Sequence, residues 1–377
     1  MLQRLEVKNF LALRDVSLDL EPFTVLVGAN ASGKTTILEA LHRVCALKSG
    51  RYRVLVEGGD FPERLDAMHN LISPDVVLNA SGGTKIEFVI FESQIWRLIL
   101  TKERPENLAT SWDIQLNTDG HKVPYNSQPF GNFFEGHRIV GQLPTSSMIQ
   151  ANFLSLSKPS HSPLKIPFLE RNGAGLGTVC QYLQQELPDT FSRVQEYLAS
   201  IIRGLKRFRI RRADGTKQNL VNVESENYRD WHGIAEELIF DFDDAVGVPA
   251  KYVSEGTLLV LCILVAAARF EGEALILIDD LERGLHPKAV RDLIGALRKL
   301  QEINPKLQIV ATSHSPYILS ELKPQEVRVV ARDPELGTVV GRLTDHPDFA
   351  KWSEVMDVGE FWSHVGEDWL LKRKEYA

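Results

Sequence analysis

The feature that most constrains the fold is an octapeptide, Gly28–Thr35 (GANASGKT), which matches the pattern G-x-x-x-x-G-K-[ST] at every fixed position. An apolar run, Phe23–Val27, precedes it, and a segment of helical character, about 34–47, follows it. Glycines allow backbone N–H groups to wrap a polyphosphate, and the N-terminus of the helix adds the positive end of its dipole. The octapeptide therefore predicts a phosphate-binding loop (P-loop) between a buried strand and a helix.

The residues of this loop have separate predicted roles. Lys34, a candidate catalytic residue, is expected to reach the β- and γ-phosphates, and Thr35 is expected to offer its hydroxyl to Mg²⁺. The residues expected to contact the nucleotide here are Gly28, Ala29, Asn30, Ala31, Ser32, Gly33, Lys34, Thr35 and Thr36.

Strands and helices alternate along the last third of the chain, which predicts a parallel sheet. The segment 120–168 contains six prolines and is expected to form loops and short strands. Strands are predicted at 5–8, 16–20, 23–27, twice within 84–101, and at 206–212, 274–278, 307–311 and 327–331; helices are predicted at about 177–205, 257–270, 287–301 and from 316.

Two carboxylates, Asp279 and Asp280, follow the apolar run Leu275–Ile278. A carboxylate at the C-terminal end of such a strand points into the crevice where open α/β sheets bind nucleotides. Acidic loop residues after a strand are common, but together with a P-loop the pair predicts a magnesium ligand, Asp279, and a catalytic base, Asp280.

Further segments resemble motifs of ABC-type ATPases. Tyr252–Leu258 (YVSEGTL) resembles the S-x-G signature at the start of a helix, and Gly284–Pro287 (GLHP) resembles the D-loop. Ala311–Pro316 (ATSHSP) resembles the switch-histidine motif. The opening residues Leu5–Leu20, followed by the P-loop segment, are similar to the SMC/RecF branch, which includes the OLD-like ATPases.

This resemblance implies an α/β P-loop fold: an ABC-type ATPase head with a central mostly parallel sheet, an N-terminal antiparallel β lobe and a helical signature lobe. A single head is expected over 1–377. Its expected segments are an N-terminal lobe at 1–160, an inserted helical and basic-strand region at 161–251, the signature helix, Walker B carboxylates, D-loop and switch histidine at 252–333, and a C-terminal extension at 334–377.

The resemblance also implies a mechanism that needs two copies of the chain. ATP and Mg²⁺ would lie between two heads in a homodimer, with Ser254, Glu255 and Gly256 of one copy capping the nucleotide on the P-loop of the other. Helix N-termini present free N–H groups to phosphate, which gives this placement a physical reason. His314 would sense the γ-phosphate, unless it is a satisfied core residue. Gln150 is the candidate coupling (Q-loop) glutamine, unless it is a solvated loop residue.

Two positions depart from the family pattern. Asp280 replaces the usual glutamate and is one methylene shorter, a displacement of roughly 1 Å that can cost about 100-fold in rate. Glu255 occupies the usual second-glycine position of the signature. Slow hydrolysis is therefore expected, and an ATP-gated scaffold that barely hydrolyses ATP remains an alternative. A nucleotide-binding subunit of a membrane transporter is a further alternative, weakened by the opening strands and the proline-rich segment.

Charge and composition limit the expected partners. The net charge of −7 excludes binding of nucleic acid by bulk charge, so such contact would need a local patch, for which Arg207, Arg209 and Arg211 on one strand face are candidates. The alternative is a solvated face paired with acids near Glu236–Glu237 or Asp241–Asp244.

Three dispersed cysteines and no membrane-spanning run favour a cytoplasmic protein without a disulfide framework. The resemblance implies a DNA-related process, repair or defence, with a separately encoded nuclease-like effector.

Overall fold

The computed structural model describes residues 1–46, 84–90, 94–103, 111–118, 121–125, 144–223 and 231–372. Its contacts divide the chain into two compact units. The first contains 1–146, 273–275 and 308–377, and the second contains 147–272 and 276–307. Each unit is built from segments that are not consecutive in the chain, whereas the segments predicted from the motifs are consecutive. The two divisions do not correspond, and the predicted division into segments stays a prediction.

An antiparallel sheet opens the first unit, in the order β2-β1-β4-β5-β6-β7. The pairing of the first two strands brings buried apolar residues together: Leu5 and Val7 lie opposite Leu18 and Val16. The strands of this sheet are β1 (Leu2–Phe10), β2 (Leu13–Asp19), β4 (Thr84–Ile90), β5 (Gln94–Glu103), β6 (Ser111–Thr118) and β7 (His121–Tyr125).

A second six-stranded sheet has the order β15-β14-β3-β13-β12-β8. Its strand β3 (Phe23–Val27) is buried along its whole length and pairs in parallel with both β13 and β14, whereas β15 pairs antiparallel with β14. The other strands are β8 (Thr145–Ile149), β12 (Ala274–Ile278), β13 (Leu307–Ser313), β14 (Val327–Asp333) and β15 (Gly337–Arg342). The predicted α/β class, with a mostly parallel central sheet and an N-terminal antiparallel lobe, is confirmed.

Helix α1 (Lys34–Ala46) follows β3 in the first unit. A C-terminal segment completes this unit: Phe361 and Trp362 are buried, and Gly359 packs so tightly that an added Cβ would lie 2.2 Å from the carbonyl oxygen of Pro316. The helices after β13 are α7 (Pro316–Leu319), α8 (Phe349–Trp352), α9 (Val358–Val365) and α10 (Asp368–Lys372).

The second unit combines a three-stranded antiparallel sheet with helices. Its strands are β9 (Leu205–Thr216), β10 (His232–Phe242) and β11 (Val248–Pro249), in the order β11-β10-β9. Its helices are α2 (Phe153–Ser157), α3 (Leu176–Glu186), α4 (Pro188–Ile201), α5 (Glu255–Ala268) and α6 (Pro287–Ile303). Residues 256–267 of α5 are all buried, which explains why that helix is apolar on every side.

One helix prediction was wrong. The helical stretch predicted at about 177–205 is two helices, α3 and α4, which meet at Leu187. Pro188 is the first residue of α4, where its missing N–H removes no helical hydrogen bond, and the chain turns before it because proline cannot continue the preceding helix. The second helix ends at Ile201, and Leu205 already belongs to β9.

Candidate functional site

The P-loop joins β3 to α1 in a conformation that only glycine permits at two positions. Gly28 has φ +148°, and an added Cβ would lie 1.9 Å from the carbonyl oxygen of Val330 on β14. Gly33 has φ +109°, and an added Cβ would lie 2.2 Å from Oγ1 of Thr338 on β15. That threonine also donates a buried hydrogen bond to the Ser32 carbonyl (2.8 Å). The two glycines of the sequence motif are therefore required by the backbone and by the β14–β15 hairpin.

Polar groups of the P-loop hydrogen-bond within the loop, with the C-terminal segment, or with no described residue. The Lys34 ammonium is buried and donates to the carbonyl oxygens of Gly28 (2.9 Å) and Ala29 (2.8 Å). The buried Ser32 hydroxyl has no hydrogen-bond partner among the described residues. Such an atom normally has a partner, and a phosphate oxygen at the loop would supply one. Glu367, in the C-terminal segment, accepts the Ala29 N–H at 3.1 Å.

His314 follows the strand next to β3. Ser313, the last residue of β13, pairs in register with Val27, so His314 and Gly28 leave the sheet at the same edge. The histidine is exposed, whereas Thr312 and Ser313 before it are fully buried. This exposure excludes the alternative of a satisfied core histidine and leaves the predicted γ-phosphate contact open to test.

In the second unit, Gln150 contacts the predicted magnesium ligand. Its Nε2 donates to Asp279 Oδ2 at 2.7 Å, and its Oε1 accepts a hydrogen bond from Arg171 Nε at 2.7 Å. The Asp279 N–H donates to the carbonyl of Ile149 (3.0 Å), so the ends of β8 and β12 bring the two side chains together. Gln150 is therefore half-buried and bonded on both sides, and it is not the solvated loop glutamine of the alternative interpretation.

Asp280 has an unusual backbone. Its φ is +55°, in the left-handed region, which among non-glycine residues favours Asn and Asp. Its carbonyl accepts the N–H of Arg283 (3.0 Å), so this conformation starts the turn that leads into the D-loop. The residue as a whole is half-buried.

The predicted signature residues begin helix α5. Ser254 is its N-cap, and its Oγ accepts the Thr257 N–H at 3.2 Å. Gly256 packs against the D-loop, since an added Cβ would lie 2.4 Å from the Gly284 carbonyl oxygen. The D-loop then continues into α6, where Nδ1 of the N-cap residue His286 accepts the Lys288 N–H at 3.2 Å.

Glu255, at the position that departs from the family pattern, has a cationic partner within the same unit. Arg283, the residue before the D-loop, forms a hydrogen-bonded ion pair with its carboxylate, and the side chains of Arg283 and Glu255 are 42% and 37% exposed. The additional negative charge at the signature is therefore compensated locally.

The arginines of β9 are engaged by acids of β10. Arg207 and Arg209 both bind Asp241, at 2.8 and 2.7 Å, and Arg211 binds Glu237. The hydrogen bond from Arg209, followed by that from Arg207, holds the pKa of Asp241 well below its usual range. The three arginines share an exposed face, as predicted, but these contacts favour the alternative interpretation of a paired, solvated sheet face.

The predicted metal ligands have the chemistry that Mg²⁺ prefers. Thr35 in the first unit carries a hydroxyl and Asp279 in the second unit carries a carboxylate, and each is a hard oxygen ligand of the kind that Mg²⁺ takes together with phosphate and water. The unpartnered Ser32 hydroxyl fits a phosphate oxygen. When bound, the ion would supply positive charge at the β- and γ-phosphates.

The fold and the P-loop define the class of P-loop ATPases, and the segment at the start of α5 keeps its resemblance to an ABC-type signature. Two family models match it: residues 1–118 match "AAA ATPase domain" and residues 170–320 match "AAA domain, putative AbiEii toxin, Type IV TA system". Together with the relatives below, these matches confirm the predicted resemblance to ATPases of the SMC/RecF/OLD-like class.

This chain is similar in sequence to two curated relatives and in structure to a solved ATPase head domain. The OLD nuclease of Thermus scotoductus is 25% identical over 92% of this chain, and the Septu protein PtuA of Bacillus mycoides is 22% identical over 89%. This chain spans 65% and 41% of their lengths, less than two thirds of either. The SMC head domain of Pyrococcus furiosus, crystallised with the C-terminal domain of ScpA, has a TM-score of 0.53 at 12% identity, covering 94% of this chain and 99% of that one. This likeness shows the fold.

Three residues of the site were missed by sequence reasoning. Thr338 and Glu367 contact the P-loop from more than 300 residues away, and Arg171 contacts Gln150 from a loop of no recognisable motif. No local pattern marks any of them.

None of the helices in the described ranges has the length and apolarity that crossing a membrane requires.

Proposed function

We propose that this protein binds Mg²⁺-ATP, hydrolyses it slowly, and dimerises head to head around two nucleotides. The observation that carries ATP binding is the P-loop itself, which leaves β3 beside His314, with Gly28 and Gly33 in glycine-only conformations and Lys34 buried within the loop. Lys34 and the first N–H groups of α1 bind phosphate, and Thr35 with Asp279 holds the ion. His314 contacts the γ-phosphate.

Dimerisation is supported by the start of helix α5. Ser254 and Gly256 lie at the N-terminus of a 14-residue helix, where free N–H groups and the helix dipole favour a phosphate. In the proposed dimer these residues cap the nucleotide held by the P-loop of the partner. The interface would be isologous, since each copy gives the same two surfaces.

The test is the mass of the protein by light scattering, with and without Mg²⁺-ATP. We expect Asp280→Asn to give a stable ATP-dependent dimer, because the variant binds ATP without activating the attacking water. Lys34→Met is expected to bind no nucleotide and to stay monomeric. Ser254→Asn keeps a good N-cap, so it is expected to bind ATP normally but to dimerise weakly. Normal dimerisation of Ser254→Asn would contradict the composite site.

A second candidate is a scaffold that binds ATP with negligible hydrolysis, favoured by Asp280 in place of a glutamate. Steady-state turnover of the wild type separates the two. Brisk phosphate release that Asp280→Asn abolishes would exclude the scaffold. Turnover at the background rate, with ATP-dependent dimerisation intact, would favour it.

We further propose that the ATPase controls a DNA-related process, repair or defence against foreign DNA, together with a separately encoded nuclease. The similarity to proteins named OLD nuclease and Septu PtuA supports this role. Incubation of the purified chain with plasmid DNA and Mg²⁺-ATP tests the separate effector. We expect the plasmid to stay intact. Cleavage of the plasmid by this chain alone would contradict this part of the proposal, whether or not the Lys34→Met variant also cleaves it.

A further inference from the structure

The amide of Gln150 lies between a carboxylate and a guanidinium. Its Nε2 donates to Asp279 Oδ2, and its Oε1 accepts from Arg171 Nε, each at 2.7 Å. A guanidinium can only donate and an ionised carboxylate can only accept. While both bonds hold, the amide therefore has one orientation, with its nitrogen toward Asp279 and its oxygen toward Arg171.

The backbone keeps Arg171 beside this amide. The Gln150 N–H donates to the Arg171 carbonyl (2.8 Å), and the Asn152 N–H donates to the Asn172 carbonyl (3.0 Å). Gly173 follows with φ +87°, and an added Cβ would lie 2.5 Å from the Leu156 side chain. The loop that carries the guanidinium is thus fixed along the segment that carries Gln150.

This orientation has a consequence for metal binding. An amide ligates Mg²⁺ through its oxygen, because the amide nitrogen is a donor and carries no available lone pair. Here the oxygen is held by a cation, and the N–H group faces the carboxylate that is proposed to hold the ion. Gln150 can ligate an ion at Asp279 through its oxygen only after the amide turns over, and that turn breaks the bond to Arg171, because it brings an N–H group toward the guanidinium.

We propose that Arg171 is a positioning residue that holds Gln150 in an orientation in which its amide cannot ligate Mg²⁺. When the Mg²⁺-nucleotide binds, the hydrogen bond between Arg171 and Gln150 must break before Gln150 can become a ligand of the ion. This inference rests on the proposed function, since it takes Asp279 to be at the metal. In this proposal Arg171 acts on metal binding through Gln150, whose Oε1 it holds.

The measurement is the dissociation constant of a fluorescent ATP analogue, determined once with Mg²⁺ and once with EDTA. The dissociation constant in EDTA divided by that in Mg²⁺ reports how much the ion strengthens nucleotide binding. Arg171→Met removes the donors and keeps the length of the side chain, and we expect it to raise this ratio about fivefold, the equivalent of one solvent-accessible hydrogen bond. Arg171→Lys keeps the charge and one donor, so its ratio should stay near that of the wild type.

A double-mutant cycle separates the amide from simple charge repulsion. In a Gln150→Met background no amide oxygen exists, so adding Arg171→Met should change the ratio less than about twofold, a residual effect of the lost charge. An unchanged ratio in Arg171→Met, or the same rise in the Gln150→Met background, overturns the inference while nucleotide binding, and with it the proposed function, stands. No nucleotide binding by the wild type overturns both.

Discussion

Substitution of Gly33 by alanine tests the geometry of the P-loop most directly. At φ +109° an L-residue is strained, at a cost of about 1–3 kcal/mol. The new Cβ would also lie 2.2 Å from Thr338 Oγ1 and 2.9 Å from its Cγ2, and overpacking of this kind costs about 1–3 kcal/mol. We therefore expect Gly33→Ala to lower the free energy of unfolding by roughly 2–6 kcal/mol and to abolish nucleotide binding.

The steric and backbone parts of this loss can be separated, because all three close contacts belong to one side chain. Thr338→Ala removes Oγ1 and Cγ2 and leaves only the Cβ, at 3.1 Å. Alone it loses the buried hydrogen bond to the Ser32 carbonyl, about 1 kcal/mol net. In Gly33→Ala/Thr338→Ala the overlap is gone and the strain at φ remains, so the double variant should be more stable than the sum of the single losses by about 1–3 kcal/mol.

The assays are urea unfolding and binding of a fluorescent ATP analogue. Gly295→Ala is the matched control: Gly295 lies exposed within helix α6 with nothing within 4 Å of an added Cβ. It should gain about 0.5–1 kcal/mol and bind nucleotide normally. Wild-type affinity together with a loss below about 1 kcal/mol in Gly33→Ala would refute the glycine requirement, and strictly additive losses would refute the steric part.

Two further predictions concern charge. The lowered pKa of Asp241 means that its charged form stabilises the folded state at pH values above the ordinary value of 3.8 and that this contribution fades as the pH falls below it. Asp241→Asn should thus be less stable than the wild type near neutral pH, with a gap in unfolding free energy that narrows below about pH 4; a constant gap would contradict the ion pairs. Arg283→Gln leaves the Glu255 carboxylate uncompensated at the proposed dimer face, so sedimentation should show the ATP-dependent dimer weakened about fivefold and restored by adding Glu255→Gln; no restoration would exclude the charge explanation.

The local parts of the site could be predicted from the sequence. The P-loop, the end of β12 and the N-cap Ser254 are each defined by residues within a few positions of one another, and local spacing fixes their geometry. The strand β3 was predicted for the same reason, because an uninterrupted apolar run between turn residues indicates a strand buried on both faces. The break before Pro188 also had a local signal in the proline itself, which the helical prediction passed over.

The remaining contacts depend on which distant segments the fold brings together. Thr338 is one threonine among many until the β14–β15 hairpin places it on Gly33, and Arg171 is an ordinary loop arginine until two backbone hydrogen bonds fix it beside Gln150. For the basic strand, the sequence predicted two alternatives, a patch for phosphates or a face paired with acids near Glu236–Glu237 or Asp241–Asp244. Its arginine stripe is visible in the sequence, whereas the acids that bind it lie on the paired strand, at Glu237 and Asp241. Register, which a single sequence does not specify, decides between a patch for phosphates and an internally paired face.

The conformation of Asp280 gives a structural reason for the shorter carboxylate. At φ +55° a residue with a long side chain is disfavoured, whereas Asp and Asn adopt this region because their short polar side chains can bond locally. The turn that begins here leads through Arg283 to Gly284, which contacts Gly256 at the start of helix α5. A glutamate at position 280 would strain the same turn that positions the signature glycine. Asp280 is therefore best probed with asparagine, which removes the charge and keeps the backbone, whereas a gain or loss in Asp280→Glu would mix chemistry with a shifted D-loop.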